Sequence, residues 1–284
     1  MDSSQKIKAE RFKQLHCASD ILVLPNIWDP LGALLLESLA YPAVATASAS
    51  IAWTNGYDDG ECIPFHEVLT RLTKIAASTK LPVTADIESG YADSLIEFQK
   101  NIEQVIITGV VGINLEDFDR RSSSVYALDV QCQRISAARE AADAMNFPLF
   151  INARTDIYLN GCNVRGPKEK LDEAIRRGKA YMHAGADGFF VPGMIDGDEL
   201  SLLRDVVRCP INVMVRPGIP DLKTLKEIGV ARVSLGPGFL KAAIQAMKDL
   251  AVKLKTADGF EALLANEVSS EYLKQLVARN SSRQ

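Results

Sequence analysis

The sequence is poor in the residues that build disulfide frameworks and zinc centres. Cysteine occurs five times, at Cys17, Cys62, Cys132, Cys162 and Cys209, and histidine three times, at His16, His66 and His183. No two cysteines share a CxxC spacing and their number is odd, so free thiols are expected rather than a disulfide scaffold or a structural zinc site. The histidines fall in or beside helical segments and read as structural or surface residues. Apolar runs are short. Ile21–Pro25 and Leu31–Leu36 fall far below the roughly 18 residues of a membrane span. No signal-peptide core follows the polar N-terminus with its Lys6, Lys8, Arg11 and Lys13. A soluble, cytoplasmic chain with no membrane partner is expected.

Other absences exclude chemistries. There is no Lys/Arg block, and 32 basic against 36 acidic residues leave a net charge of −4. A nucleic-acid partner is therefore not expected. The first strand-to-helix turn reads Pro25-Asn26-Ile27-Trp28, without the GxGxxG of a dinucleotide site. GxSxG, the mark of a serine hydrolase, is missing. No candidate strand ends in lysine, as a Schiff-base aldolase requires; Lys80 precedes a strand and Lys241 lies in a helix.

What is present is alternation. With 47% hydrophobic and 24% charged residues, the 284-residue chain is globular in composition. Its short apolar runs are Ile21–Leu24, Ala43–Thr46, Val83–Asp86, Gly112–Glu116, Leu149–Ala153, Gly188–Val191, Asn212–Val215 and Val230–Leu235. Segments of helical period lie between them, notably Phe65–Ser78, Leu128–Met145, Glu169–Ala184 and Phe239–Leu254. Pro42, Pro82, Pro148 and Pro210 precede strands, and Gly109, Gly185 and Gly229 follow helices. Eight β-then-α units with strands apolar on both faces predict a (β/α)8 TIM-type barrel over residues 1–255. An open doubly wound sheet is the alternative. Residues 256–284 form a C-terminal extension whose segment Phe260–Ala278 reads as one amphipathic helix, packed on the barrel or swapped between subunits.

A barrel of this kind carries its chemistry at the C-terminal ends of its strands. Carboxylates gather there. The third strand ends in Asp86 and Glu88, the fourth in Glu116 and Asp117, and the fifth in Arg154 and Asp156; Asp58 and Asp59 follow the second. Asp86 and Glu88, two apart, point to the same side if extended. Such a cluster repels itself unless a cation sits among it, and oxygen donors suit Mg²⁺, with Mn²⁺ possible. Asp93 and Asp129 are expected as helix caps. The turns Arg216-Pro217-Gly218 and Leu235-Gly236-Pro237-Gly238 stand where barrels often bind phosphate.

Several stretches, taken in order, resemble the isocitrate lyase / phosphoenolpyruvate mutase superfamily. They are Asn26-Ile27-Trp28-Asp29, Asn55 to Gly60, Ala85 to Tyr91, Gly112 to Asp117, Asn152 to Asp156 and Gly229 to Gly236. The resemblance implies a Mg²⁺-dependent barrel acting on 2-oxo acids or enolpyruvate-type compounds. It implies Asp86 as the nearest metal ligand, with Glu88 and Glu116 holding metal-bound waters. Asp59 would close over the site, and Arg154 would meet a substrate carboxylate or enolate oxygen. Thr46, Ala47 and Ser48 would grip a carboxylate, and Asn212 joins them as a substrate-binding residue. Homo-oligomers, dimers or tetramers with a swapped C-terminal helix, are implied too.

The loop after the fourth strand departs from the superfamily. It reads Phe118-Asp119-Arg120-Arg121-Ser122-Ser123-Ser124-Val125, with neither the cysteine loop of the carbon–carbon lyases nor the Asn-Lys loop of the phosphonate enzymes. Glu88 stands where aspartate is usual, and Val191-Pro192-Gly193 offers neither histidine nor glutamate. Decarboxylation needs no positioned base to start. The leading expectation is thus a Mg²⁺-dependent carbon–carbon lyase on a small 2-oxo acid, working through an enolate as in oxaloacetate decarboxylation. The alternatives are a phosphoenolpyruvate or phosphonopyruvate mutase or hydrolase that uses Ser122–Ser124, and a non-catalytic 2-oxo acid binding protein.

Overall fold

The computed structural model describes residues 3–159, 166–255 and 259–281. The thiol expected at Cys162 and the start of the extension expected from residue 256 lie outside them. Eleven strands occur among the described residues: β1 (Leu22–Leu24), β2 (Asn26–Ile27), β3 (Val44–Thr46), β4 (Val83–Asp86), β5 (Gly112–Glu116), β6 (Phe118–Asp119), β7 (Ser124–Val125), β8 (Phe150–Arg154), β9 (Gly188–Phe190), β10 (Ile211–Met214) and β11 (Arg232–Ser234). Nine of them form one sheet in the order β1-β11-β10-β9-β8-β5-β4-β3-β2, and every pairing in it is parallel. β1 and β2 are one strand interrupted at Pro25, which has no N–H to give a ladder. β1 pairs with β11 and β2 with β3, so the strand changes neighbours at the proline and the sheet comes round to a nearly closed barrel.

The eight expected runs are all strands, shifted by a residue or two at their ends. Helices Phe65–Ser78, Leu128–Ala144, Pro167–His183 and Gly238–Lys253 occupy the segments of helical period. Two expected caps are corrected. Ser94, not Asp93, caps helix Leu95–Ile107, because its hydroxyl accepts from the Glu97 N–H at the N3 position. Asp129 lies inside the first turn of its helix, where its charge favours the helix dipole without capping. The loop after β5 is a small antiparallel hairpin, β6 with β7, that the sequence did not suggest. The extension is two helices, Gly259–Leu264 and Ser270–Ser281, not one. Side-chain oxygens of Asn266 and Ser269 accept from the N–H groups of Val268 and Tyr272 and break the run between them. The last helix lies against Pro30–Ser38 of its own chain and buries Leu276.

Alternation sorts the barrel residues. Ala45, Ala85, Ile113, Leu115, Ile151, Ala153, Phe189, Val213 and Val233 join the core shared with the surrounding helices. Their neighbours of opposite parity, among them Thr84, Asp86, Asn114, Glu116, Asn152, Arg154, Asn212 and Arg232, face the barrel interior. The N-terminal helix Ser3–Leu15 plugs the bottom. Phe12 meets Phe150 edge-on at 5.4 Å and His16 stacks on the same ring at 4.0 Å. Gly112 is required there, since a Cβ would stand 2.9 Å from the Phe12 ring. Cys17, Cys62, Cys132 and Cys209 are free thiols, and no described helix is long and apolar enough to cross a membrane.

Candidate active site

Asp86 ends β4 and is the centre of the rim. The Ser48 hydroxyl donates to Asp86 Oδ2 at 3.1 Å, and the Ser48 N–H points at the same oxygen at 3.4 Å. The Asp86 N–H donates to Thr46 Oγ1 at 3.1 Å. The residues expected to grip a substrate carboxylate therefore orient Asp86 itself; Ala47, buried between them, is the N-cap position of helix Ser48–Thr54. Asp86 Oδ1 is buried and has no hydrogen-bond partner.

Glu88 reaches the rim by a different route from the one its spacing suggests. The strand stops at Asp86, and Glu88 adopts a left-handed φ of +54°. A strained backbone, not strand alternation, turns its side chain into the site. Its carboxylate is buried and accepts from the Tyr91 hydroxyl at 2.6 Å. Burial pushes its pKa up to about 8, against the lowering effect of the Tyr91 bond. Tyr91, itself at φ +55°, is fixed through its N–H, which donates to Glu61 Oε1 at 2.8 Å.

Glu116 and Arg154 end adjacent strands and meet at 2.8 Å. Arg154 also clasps Asp156 through two bonds, Nε to Oδ1 at 2.6 Å and Nη2 to Oδ2 at 2.8 Å. Burial raises the Glu116 pKa well above the usual range, although Arg154 opposes it. Burial works against the charged form of Arg154, but Asp156 and Glu116 more than offset it and hold the guanidinium charged. Asp117 lies behind this pair. It is wholly buried and accepts from the Asp156 N–H at 2.9 Å, Arg177 Nη1 at 3.0 Å and the Tyr181 hydroxyl at 2.7 Å.

Asp59 arrives on its loop close enough to Asp86, Ser48 and Arg154 to feel all three, and burial with the Asp86 charge raises its pKa. The loop is tied down from two sides. Ser89 Oγ donates to Glu61 Oε1 at 2.7 Å, and Arg120, from the β6–β7 hairpin, donates to the Asp59 carbonyl at 3.0 Å. Gly60, at φ +88°, leaves room for that guanidinium, which a Cβ would meet at 2.7 Å.

Other expected features lie elsewhere. Asn212 sits deeper, two residues before the end of β10, and its Oδ1 accepts from Ser234 Oγ at 3.2 Å. The turn after β11 does not present its N–H groups to a phosphate. Those of Leu235 and Gly236 donate to Asn26 Oδ1 at 2.8 and 3.0 Å. Ser122 is bonded to Asp119 and Ser124 on an exposed hairpin, and Arg120 points at Cys62 and Asp59. Tyr91 and Glu61 were not legible as site residues, since each acts through a contact that only the folded loops create; Asp117, expected among the strand-end carboxylates, instead lies behind the rim against Arg177 and Tyr181 of helix Pro167–His183.

The sequence matches a known family over most of the chain. The phosphoenolpyruvate phosphomutase profile matches residues 12–255. The chain belongs to this family. An uncharacterized protein of Mycobacterium tuberculosis is 35% identical over 231 residues, covering 79% of this chain and 81% of the relative. Oxaloacetate decarboxylase 1 of Pseudomonas fluorescens is 27% identical over 247 residues, covering 84% of this chain and 81% of that protein. A solved Burkholderia cenocepacia protein, described only as a lyase or mutase, superposes with a TM-score of 0.89 at 33% identity, covering 97% and 98% of the two chains. The relatives are decarboxylases, lyases and mutases, so the chain is a member of an enzyme family.

Proposed function

We propose that this chain is a Mg²⁺-dependent carbon–carbon lyase acting on a small 2-oxo acid through an enolate, as in oxaloacetate decarboxylation. The observation that carries the reading is Asp86 Oδ1, a buried carboxylate oxygen without a partner, ringed by Asp59, Glu88, Glu116 and Arg154. Among the described residues no three His, Cys, Asp or Glu side chains gather closely enough to chelate an ion together. Mg²⁺ does not need that, since it commonly keeps several waters and uses one or two carboxylates. The donor set therefore fits: Asp86 would hold the ion directly, with Glu88 and Glu116 acting through water. Bound there, Mg²⁺ or Mn²⁺ would supply a Lewis acid for the 2-oxo acid's carboxylate and keto oxygens.

The protein's own part is positioning. Ser48 holds the Asp86 carboxylate, and Thr46 holds the Asp86 backbone N–H. Arg154, locked by Asp156 and Glu116, sets a permanent positive charge at the rim for the developing enolate. The Asp59 loop, held by Arg120 and Glu61, brings a further carboxylate to the rim. Loss of CO₂ from a β-carboxylate starts without a base, which suits a rim that has no catalytic cysteine loop. A mutase would draw on Ser122 and Ser124, which are bonded to each other on the exposed hairpin.

The chain is further proposed to work in the cytoplasm as a homo-oligomer. An apolar groove of about 300 Å³ beside Trp28, Leu31, Leu35 and Phe239 supports the second point, as do the exposed Phe260 and Leu264 of the extension.

Incubation with MgCl₂ and oxaloacetate, followed by proton NMR of pyruvate, tests the function. Formation above the metal-only rate, and its loss in Asp86→Ala, is the expected result. Full turnover in Asp86→Ala would overturn the metal assignment.

A further inference from the structure

Beneath the rim lies a second polar layer. Thr84, Asn114, Asn152, Asn212 and Arg232 each stand two residues before the end of their strand, below Asp86, Glu116, Arg154, Met214 and Ser234. Barrel interiors are ordinarily filled by bulky branched apolar side chains. Here four neutral polar residues surround one arginine.

Arg232 is fully buried. Its Nε donates to Ser234 Oγ at 3.1 Å and its Nη2 to Asn114 Oδ1 at 3.4 Å, while Nη1 has no partner. No carboxylate of the described residues pairs with it, although a buried guanidinium is costly without a counter-charge. Asn114 pairs with Asp86 in register, so the cation reaches across the barrel to the strand beside Asp86. Above it the rim carries Asp59, Asp86, Glu88, Glu116 and Asp156 with one arginine of its own, Arg154. A cation below without an ion-pair contact of its own, favoured in its charged form by Asp86, and an excess of carboxylates above are two halves of one charge distribution.

We propose that Arg232 is a positioning residue that acts by its charge alone and sets the balance between cation and anion binding at the rim. It weakens the hold on a bare divalent cation at Asp86 and strengthens the hold on the anionic 2-oxo acid. The inference rests on the metal site proposed above. Charges separated by one layer of side chains inside a protein interact strongly enough to move a binding constant by about tenfold. Arg232 touches neither ligand, so its loss removes the field and leaves the contacts of the rim in place.

Calorimetric titration of Mg²⁺ alone, then of oxalate at saturating Mg²⁺, tests this on the full chain and its Arg232→Met, Arg232→Lys and Asp86→Ala variants. Arg232→Met is expected to bind Mg²⁺ about tenfold tighter and oxalate about tenfold more weakly. Arg232→Lys, which keeps the charge, stays near the parent on both. Opposite movement of the two constants is the mark of a lost charge, because a damaged site weakens both. Should Arg232→Met not fold, Arg232→Gln removes the charge while keeping a polar side chain in the layer. An unchanged or weakened Mg²⁺ constant in the uncharged variant overturns the proposal. So does an Arg232→Lys variant that behaves like Arg232→Met. A parent protein that binds no Mg²⁺, or binds it as well with Asp86→Ala, overturns the metal site instead, and this inference with it.

Discussion

Arg154 and Asp156 form a two-pronged pair, 2.6 and 2.8 Å long, between residues two apart on one chain segment. The clasp leaves Nη1 to meet Glu116 at 2.8 Å. The orientation of the arginine is therefore set from behind by Asp156, and its outer edge is what the rim presents. Asp156→Asn keeps the shape and drops the charge. It is expected to lower kcat about 10- to 100-fold, the range seen when an outer partner of a site residue is lost. Steady-state kinetics on oxaloacetate measures this; an unchanged kcat would show that the clasp is not needed.

Asp117 gathers three donors where no solvent reaches. Asp117→Ala strips Arg177 of one of its two carboxylates and leaves Glu173 as the other, at 2.8 Å. Breaking a buried pair in this way costs about 3–5 kcal/mol, and the retained Glu173 bond points to the low end. Urea unfolding of the variant reads the loss directly. A change below about 1 kcal/mol would mean that Glu173 suffices to hold the Arg177 charge without Asp117.

His16 is buried on Phe150 and its pKa is pushed down to about 3, first by burial and then by Arg232. Its unfolded value is 6.5, so between these pH values the unfolded chain binds a proton that the folded chain refuses. Stability is thus retained above pH 6.5 and falls as the pH drops through that window, by up to about 1.4 kcal/mol per unit from this group. His16→Phe keeps a ring at this position and removes the proton site. Its stability is expected to slope less steeply between pH 6.5 and 4.5 in urea melts, and an identical slope would rule His16 out as the cause.

Glu88, held up to about 8 by burial, retains its proton near neutral pH in the absence of a cation. A divalent ion arriving at the rim favours the ionised form, so binding expels protons. Calorimetry of Mg²⁺ binding at pH 7 in buffers of different ionisation enthalpy is expected to show proton release, smaller in Glu88→Gln. Buffer-independent heats would contradict this.

Much of the architecture was legible because the barrel strands are buried on both faces and read as unbroken apolar runs. The rim was legible for Asp86, Glu116 and Arg154, since a charge at the end of such a run has nowhere to sit but the barrel mouth. Glu88 was placed for the wrong reason, because nothing in its spacing reveals a left-handed backbone. Tyr91 and Glu61 act through contacts made only when separate loops fold together. Arg232 did leave a signal. It is the lone charge in Val230–Leu235, in phase with Ser234, and so was bound to point into the barrel. The split first strand and the broken terminal helix rest on a few local groups that override the periodicity around them: the missing N–H of Pro25 in one, and the side-chain bonds of Asn266 and Ser269 in the other.

The central claim is that the rim holds a divalent cation on Asp86. Crystals grown with Mn²⁺ and oxalate, measured for anomalous scattering, test it most directly. The account predicts a peak bonded to the Asp86 carboxylate, with oxalate on its open side and Glu88 and Glu116 reaching it through water. A peak elsewhere, or none on Asp86 with oxalate bound, would contradict it.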